Sequence, residues 1–188
     1  MKKLINWRAI VVPTSTAVLV ALLLSGAANA ITDTVFRYST PQTGYLAIPA
    51  NVFTPLDDST LYFVQNRSQL RLDTDDFACF VTPVNLPHGA DMTDLTVWYQ
   101  NQSASLAVSL LRKTNLDIVD GFKELARRIL PRGAASVTQE ANRSIGGPDA
   151  IVDNKDNHYW LEYCALNASN NGILNSVRIT YTYKNAGD

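Results

Sequence analysis

Apolar and polar residues alternate along much of this chain with a period of two, the pattern of strands that bury one face and wet the other. Over 93–99, Leu95, Val97 and Tyr99 fall on one face and Asp94, Thr96 and Trp98 on the other. Leu106, Val108 and Leu110 repeat the pattern against Ala107, Ser109 and Leu111. Near the C-terminus Val177, Ile179, Tyr181 and Tyr183 alternate with Ser176, Arg178, Thr180 and Thr182. Shorter runs at 61–64, 69–72, 77–85 and 159–166 suit further strands. Between the runs stand Leu86-Pro87-His88-Gly89, Asn101-Gln102-Ser103, Gly146-Gly147-Pro148 and Asn170-Asn171-Gly172, whose Pro, Gly and Asn residues supply the reversals antiparallel strands need. Short strands separated by such turns predict an all-β fold, an antiparallel β-sandwich of jelly-roll-like type, with a closed barrel as the alternative.

Two stretches depart from simple alternation. Residues 31–58 carry Pro41, Gly44, Pro49 and Pro55, which forbid a long helix and suit an extended lead-in or an edge strand to a sandwich domain over 59–188. In 121–130, Phe122, Leu125, Ala126, Ile129 and Leu130 recur at helical spacing, after Asp120 as a cap and before Pro131 as a stop. Local pattern there predicts one short amphipathic helix, against a strand with bulges.

The N-terminus changes how composition is read. Lys2, Lys3 and Arg8 precede a short apolar core at 17–24, and Ala28-Asn29-Ala30 offers an A-x-A cleavage site, so 1–30 reads as a secretory signal peptide. Pro13 and the Thr14-Ser15-Thr16 run keep the apolar segment well short of the roughly 20 residues a spanning helix needs. The expected mature protein is secreted or periplasmic, without a membrane anchor after cleavage. That segment holds three of the 16 Lys plus Arg and none of the 17 Asp plus Glu, so the net charge moves from −1 to −4. Such a balance argues against nucleic acid as a partner. Both cysteines, Cys79 and Cys164, fall in the mature part, and an even count in an exported chain predicts a disulfide. Their spacing fits neither a C-x-x-C redox motif nor a zinc ribbon.

The run Leu86-Pro87-His88-Gly89-Ala90, followed by Thr93-Asp94-Leu95-Thr96-Val97-Trp98-Tyr99, resembles a stretch recurring in uncharacterised exported bacterial β-sandwich proteins, a Leu-Pro-x-Gly-Ala turn before an aromatic strand. Leu110-Leu111-Arg112 and Val177-Arg178-Ile179-Thr180-Tyr181 extend the resemblance over roughly 45–183. Where that group often has Asp-Asn-Ser after the aromatic strand, this chain has Asn101-Gln102-Ser103. The resemblance implies a sandwich, transfers no catalytic residue, and implies a strand in the segment corresponding to 121–130.

Chemistry-bearing motifs are scarce. His88 sits in a turn and His158 at a strand start, and neither has metal-ligand spacing. Asp153 and Asp156 stand near His158 and could form an acid/base pair or, with Asn154 and Asn157, a loose calcium loop, but a solvated turn is the simpler reading. There is no G-x-S-x-G elbow, Walker loop or Rossmann fingerprint, so no catalytic residue, metal ligand or cofactor is assigned and no enzymatic activity is expected. Trp98 and Trp160 occupy the polar phase of their strands, where an indole can serve as a stacking platform for a ligand. The expected function is that of a surface, adhesion or scaffold module whose partner is a glycan or an envelope protein, with a carbohydrate-binding module as the sharper alternative and a hydrolase as the remoter one.

Overall fold

The computed structural model describes residues 36–73, 75–114, 121–133, 138–168 and 172–186; the expected signal peptide lies outside them. Among the described residues eleven strands form two antiparallel sheets. The first contains β1 (Phe36–Pro49), β3 (Tyr62–Gln65), β4 (Gln69–Leu72), β6 (Asp91–Asn101), β9 (Gln139–Ser144) and β11 (Gly172–Ala186). Its order is β3-β4-β11-β6-β9, and β11 pairs with β4 through Ile173 and Leu174 before passing to β1 from Ser176 onward. The second contains β2 (Thr54–Pro55), β5 (Ala78–Val84), β7 (Ser105–Thr114), β8 (Lys123–Leu130) and β10 (Asn157–Leu166), ordered β2-β5-β10-β7-β8. The prolines of the N-terminal stretch are met by β1 running as an edge strand, with its register shifting between Arg37 and Gln42 around Pro41. No described helix is long and apolar enough to cross a membrane.

The alternation read from sequence becomes the wall of the core. Leu95, Val97 and Tyr99 of β6, Val177 and Ile179 of β11, Leu106, Val108 and Leu110 of β7, and Leu161 and Tyr163 of β10 are all buried between the sheets. Each fully buried aliphatic side chain contributes about 1.5–3 kcal/mol by leaving water. Gly44 meets Tyr181 across the β1–β11 ladder, and a Cβ at that position would collide with the tyrosine ring lying over it. Asn101, buried at the end of β6, donates its Nδ2 to the carbonyls of Ala104 (3.2 Å) and Leu130 (2.9 Å), tying the β6–β7 turn to the end of β8.

Residues 121–130 do not form the predicted helix. They supply β8, paired with β7 from Leu106↔Leu130 to Arg112↔Lys123 and bulged where Leu110 faces Ala126 and Leu111 faces Glu124. The bulge sets Leu125 beside Ala126; Ala126 and Leu130 face the core while Phe122 and Ile129 lie exposed, so the helical spacing combines apolar residues from both faces of a strand. The exposed edge of β7 then decides the matter, because its unpaired backbone groups require a ladder that local propensity cannot offer.

Tyr163 is fully buried, and its hydroxyl has no hydrogen-bond partner among the described residues. Burial pushes its ionisation far above the ordinary tyrosine range. A buried hydroxyl without a partner costs about 1–3 kcal/mol of desolvation. Tyr163→Phe should therefore raise unfolding stability by about 1 kcal/mol, read as a higher urea midpoint at unchanged slope. A lower midpoint would show that the hydroxyl is satisfied.

Candidate functional site

On the outer face of the second sheet, β10 presents His158, Trp160, Glu162 and Cys164, while Tyr159, Leu161, Tyr163 and Ala165 turn inward. Register aligns these with β5 and β7: Trp160 lies between Pro83 and Leu111, Glu162 between Val81 and Ser109, and Cys164 between Cys79 and Ala107. Pro83 is allowed because β2 covers β5 only at Val81 and Phe80, so no partner there requires the missing N–H.

His158, Trp160 and Glu162 of β10, with Val81 and Pro83 of β5, line an open groove of about 690 Å³. Val81, Pro83 and Trp160 supply the apolar floor, Thr54 and Leu56 stand on the β2 side, and Asn85, Asn154, Asn157 and His158 bring polar groups to one end. Trp160 is half-buried, with the His158 imidazole 5.6 Å away at 23° to the indole and Phe122 edge-on at 6.2 Å. Glu162 is the one carboxylate among the lining residues, and neither Lys nor Arg lines the groove.

The disulfide expected from sequence is present: Cys79 and Cys164 are joined at a Cα–Cα distance of 4.1 Å, directly opposite one another on β5 and β10. It lies on the outer face beside the groove, not between the sheets. Glu162 stands with the two sulfurs in a cluster small enough for a metal ion. Sulfurs bonded to each other offer no thiolate, so that cluster is not a metal site.

The two tryptophans expected as platforms part company. Trp98 is on the outer face of the first sheet, where its indole N–H donates to Glu140 Oε2 at 3.0 Å. The Arg178 guanidinium covers its ring at 4.9 Å and also stacks on Tyr45 at 5.3 Å. Trp98 thus already has the cation and the acceptor that a ligand would offer. Trp160 has the groove.

The histidines divide likewise. His88 Nδ1 accepts the backbone N–H of Asn154 at 3.2 Å, and Asp153 Oδ1 lies 3.7 Å from the same nitrogen. Of the two acids suggested for His158, Asp153 serves the loop: its Oδ1 accepts from Lys155 N–H, and its carbonyl accepts from Asn157 N–H at 3.0 Å. Asn154 Nδ2 donates to the Leu86 carbonyl at 2.8 Å. These bonds hold the end of the groove.

Burial raises the Glu162 pKa above the ordinary carboxylate value, with Arg127 opposing and Glu124 adding to the shift. A raised folded-state value means the folded protein binds the proton more tightly than the unfolded chain, so acidification through that value stabilises. The carboxylate remains the acceptor form at neutral pH, but it is less favoured in the folded protein than in the unfolded chain. Glu162→Gln should be at least as stable as wild type at pH 7 and should lose the gain on acidification toward pH 4.5, measurable as thermal midpoint against pH. A variant less stable at pH 7 would contradict this account. Sequence reading missed Glu162, Val81, Pro83, Asn85, Thr54 and Leu56; the signal available was an acid two residues after an outward-facing Trp on one strand.

No protein-family profile matches the chain, and no curated protein matches it. Among solved structures, it is similar to the C-terminal CBM6 of LamC, a laminarinase from Zobellia galactanivorans (TM-score 0.47, 12% identity, covering 73% of this chain and 99% of that one). It is also similar to CBM29_1, a carbohydrate-binding module from Piromyces equi (TM-score 0.45, 11% identity, 75% and 91%). A third is the xylan-binding module CBM15 (TM-score 0.46, 10% identity, 77% and 99%). Likeness at this distance says nothing of what the groove binds.

Proposed function

We propose that this protein is an exported, non-enzymatic β-sandwich module that binds carbohydrate along the groove on the outer face of its second sheet, with Trp160 as the platform. One observation carries the reading: a half-buried indole stands in an open groove whose rim is amide, hydroxyl and carboxylate. A sugar ring presents an apolar C–H face and an equatorial fringe of hydroxyls, and that combination asks for an aromatic face ringed by hydrogen-bonding groups. A single lining carboxylate suits binding better than hydrolysis, since glycoside cleavage ordinarily needs a carboxyl pair about 5–9.5 Å apart flanking the bond. The outer-face disulfide fits work in an oxidising compartment.

Titrating the protein with soluble polysaccharides while following tryptophan emission tests this directly. In Trp98→Phe, emission from the groove should shift on addition of a bound glycan; in Trp160→Phe the ligand-dependent shift should disappear. No response from any polysaccharide in a broad panel would overturn the reading.

A further inference from the structure

From the charge and placement of Glu162 we infer that the groove selects neutral glycans, with Glu162 as the specificity-determining residue that accepts a vicinal hydroxyl pair and rejects uronic acids. This rests on the carbohydrate-binding reading above and names its ligand class. Glu162 projects from the middle of β10 two residues beyond Trp160, so its carboxylate and the indole line the same side of one strand. A ligand stacked on Trp160 therefore brings its ring substituents toward the carboxylate.

Glu162 makes no salt bridge among the described residues. Its neighbours in register are Val81 on β5 and Ser109 on β7, and the Ser109 hydroxyl is given to Glu124 Oε2 at 3.2 Å. Cys164 Sγ stands 3.2 Å from Glu162 Oε1, but a disulfide sulfur carries no proton to donate. The carboxylate is thus partly withdrawn from water without receiving a charged donor. An ionised carboxyl accepts only, through two oxygens, and two adjacent sugar hydroxyls are a matching pair of donors.

The same features exclude anions. Sites for carboxylate or sulfate groups use Arg or Lys, and among the described residues neither lines the groove. Arg127, whose charge acts on Glu162, is on β8 and outside the lining. A uronic acid on Trp160 would place a second negative charge beside Glu162 with no cation among the described lining residues to pair with it, Arg127 being already engaged with Glu162 from outside the groove.

The test is calorimetric titration of the wild type and Glu162→Gln at pH 7 with neutral hexasaccharides (cellohexaose, xylohexaose, mannohexaose, laminarihexaose) and with hexagalacturonate. We expect the wild type to bind at least one neutral ligand and not hexagalacturonate. Glu162→Gln should lose about tenfold or more on that neutral ligand, the usual effect of removing hydrogen bonds to a charged acceptor. Hexagalacturonate bound as tightly as the neutral ligands would overturn the inference and leave the carbohydrate reading standing. Undiminished affinity in Glu162→Gln would remove the role of Glu162. Binding of neither class would overturn the carbohydrate reading and this inference with it.

Discussion

Replacing Cys79 and Cys164 together by serine should lower unfolding stability by about 4–5 kcal/mol, the effect expected from releasing so long a loop in the unfolded chain. The bridge joins residues 85 positions apart, and most of that loss arises in the unfolded state. Folded-state packing should change little, because the pair is on the outer face and serine leaves no core cavity. For a domain of this size the thermal midpoint should fall by roughly 10–15 °C. A larger denaturant slope should accompany it as the unfolded chain expands. A loss below about 1 kcal/mol would mean that the reduced unfolded chain is already compact. The substitution also touches the groove, since β5 carries Val81 and Pro83 and, apart from two residues of β2, is held to the sheet by β10 alone.

Trp160→Ala should reduce affinity for the bound glycan at least thirtyfold, about 2 kcal/mol, while leaving the fold intact. Aromatic anchors at the centre of a binding surface commonly carry that much of the energy. The indole forms part of the groove floor beside Pro83, with His158 at its flank, so truncation removes the platform and leaves a flat polar strand. Trp98→Ala is the matched control. It should leave affinity within twofold and cost about 1 kcal/mol of stability, because the Arg178 guanidinium loses an aromatic face. Equal affinity in wild type and Trp160→Ala would move the binding surface elsewhere on the molecule.

Much of this architecture could be read from residues alone, and the failures are instructive. Strands β6, β7, β10 and β11 were legible because each packs one face on the core and wets the other, so burial and sequence share a period of two. β9 was not read, since Gln139–Ser144 is polar almost throughout and, among its described side chains, only Ala141 is buried. β2, two residues long, carries no pattern at all. β8 was misread as helix because the exposed apolar Phe122 and Ile129, with the bulged Leu125, combine with buried Ala126 and Leu130 into helical spacing.

The site was half legible. Alternation by itself placed both Trp98 and Trp160 on outward faces, and the paired cysteines in an exported chain pointed to their bridge. Nothing local distinguishes the two indoles, because what surrounds each comes from distant strands. Arg178 of β11 and Glu140 of β9 close over Trp98, whereas Pro83 of β5, brought alongside from 77 positions away, leaves Trp160 at the floor of an open groove. Sequence periodicity determines which face a side chain takes, since that depends only on the backbone it sits on. Which partners meet it there depends on strand order and register, and those emerge only when the whole sheet is hydrogen-bonded.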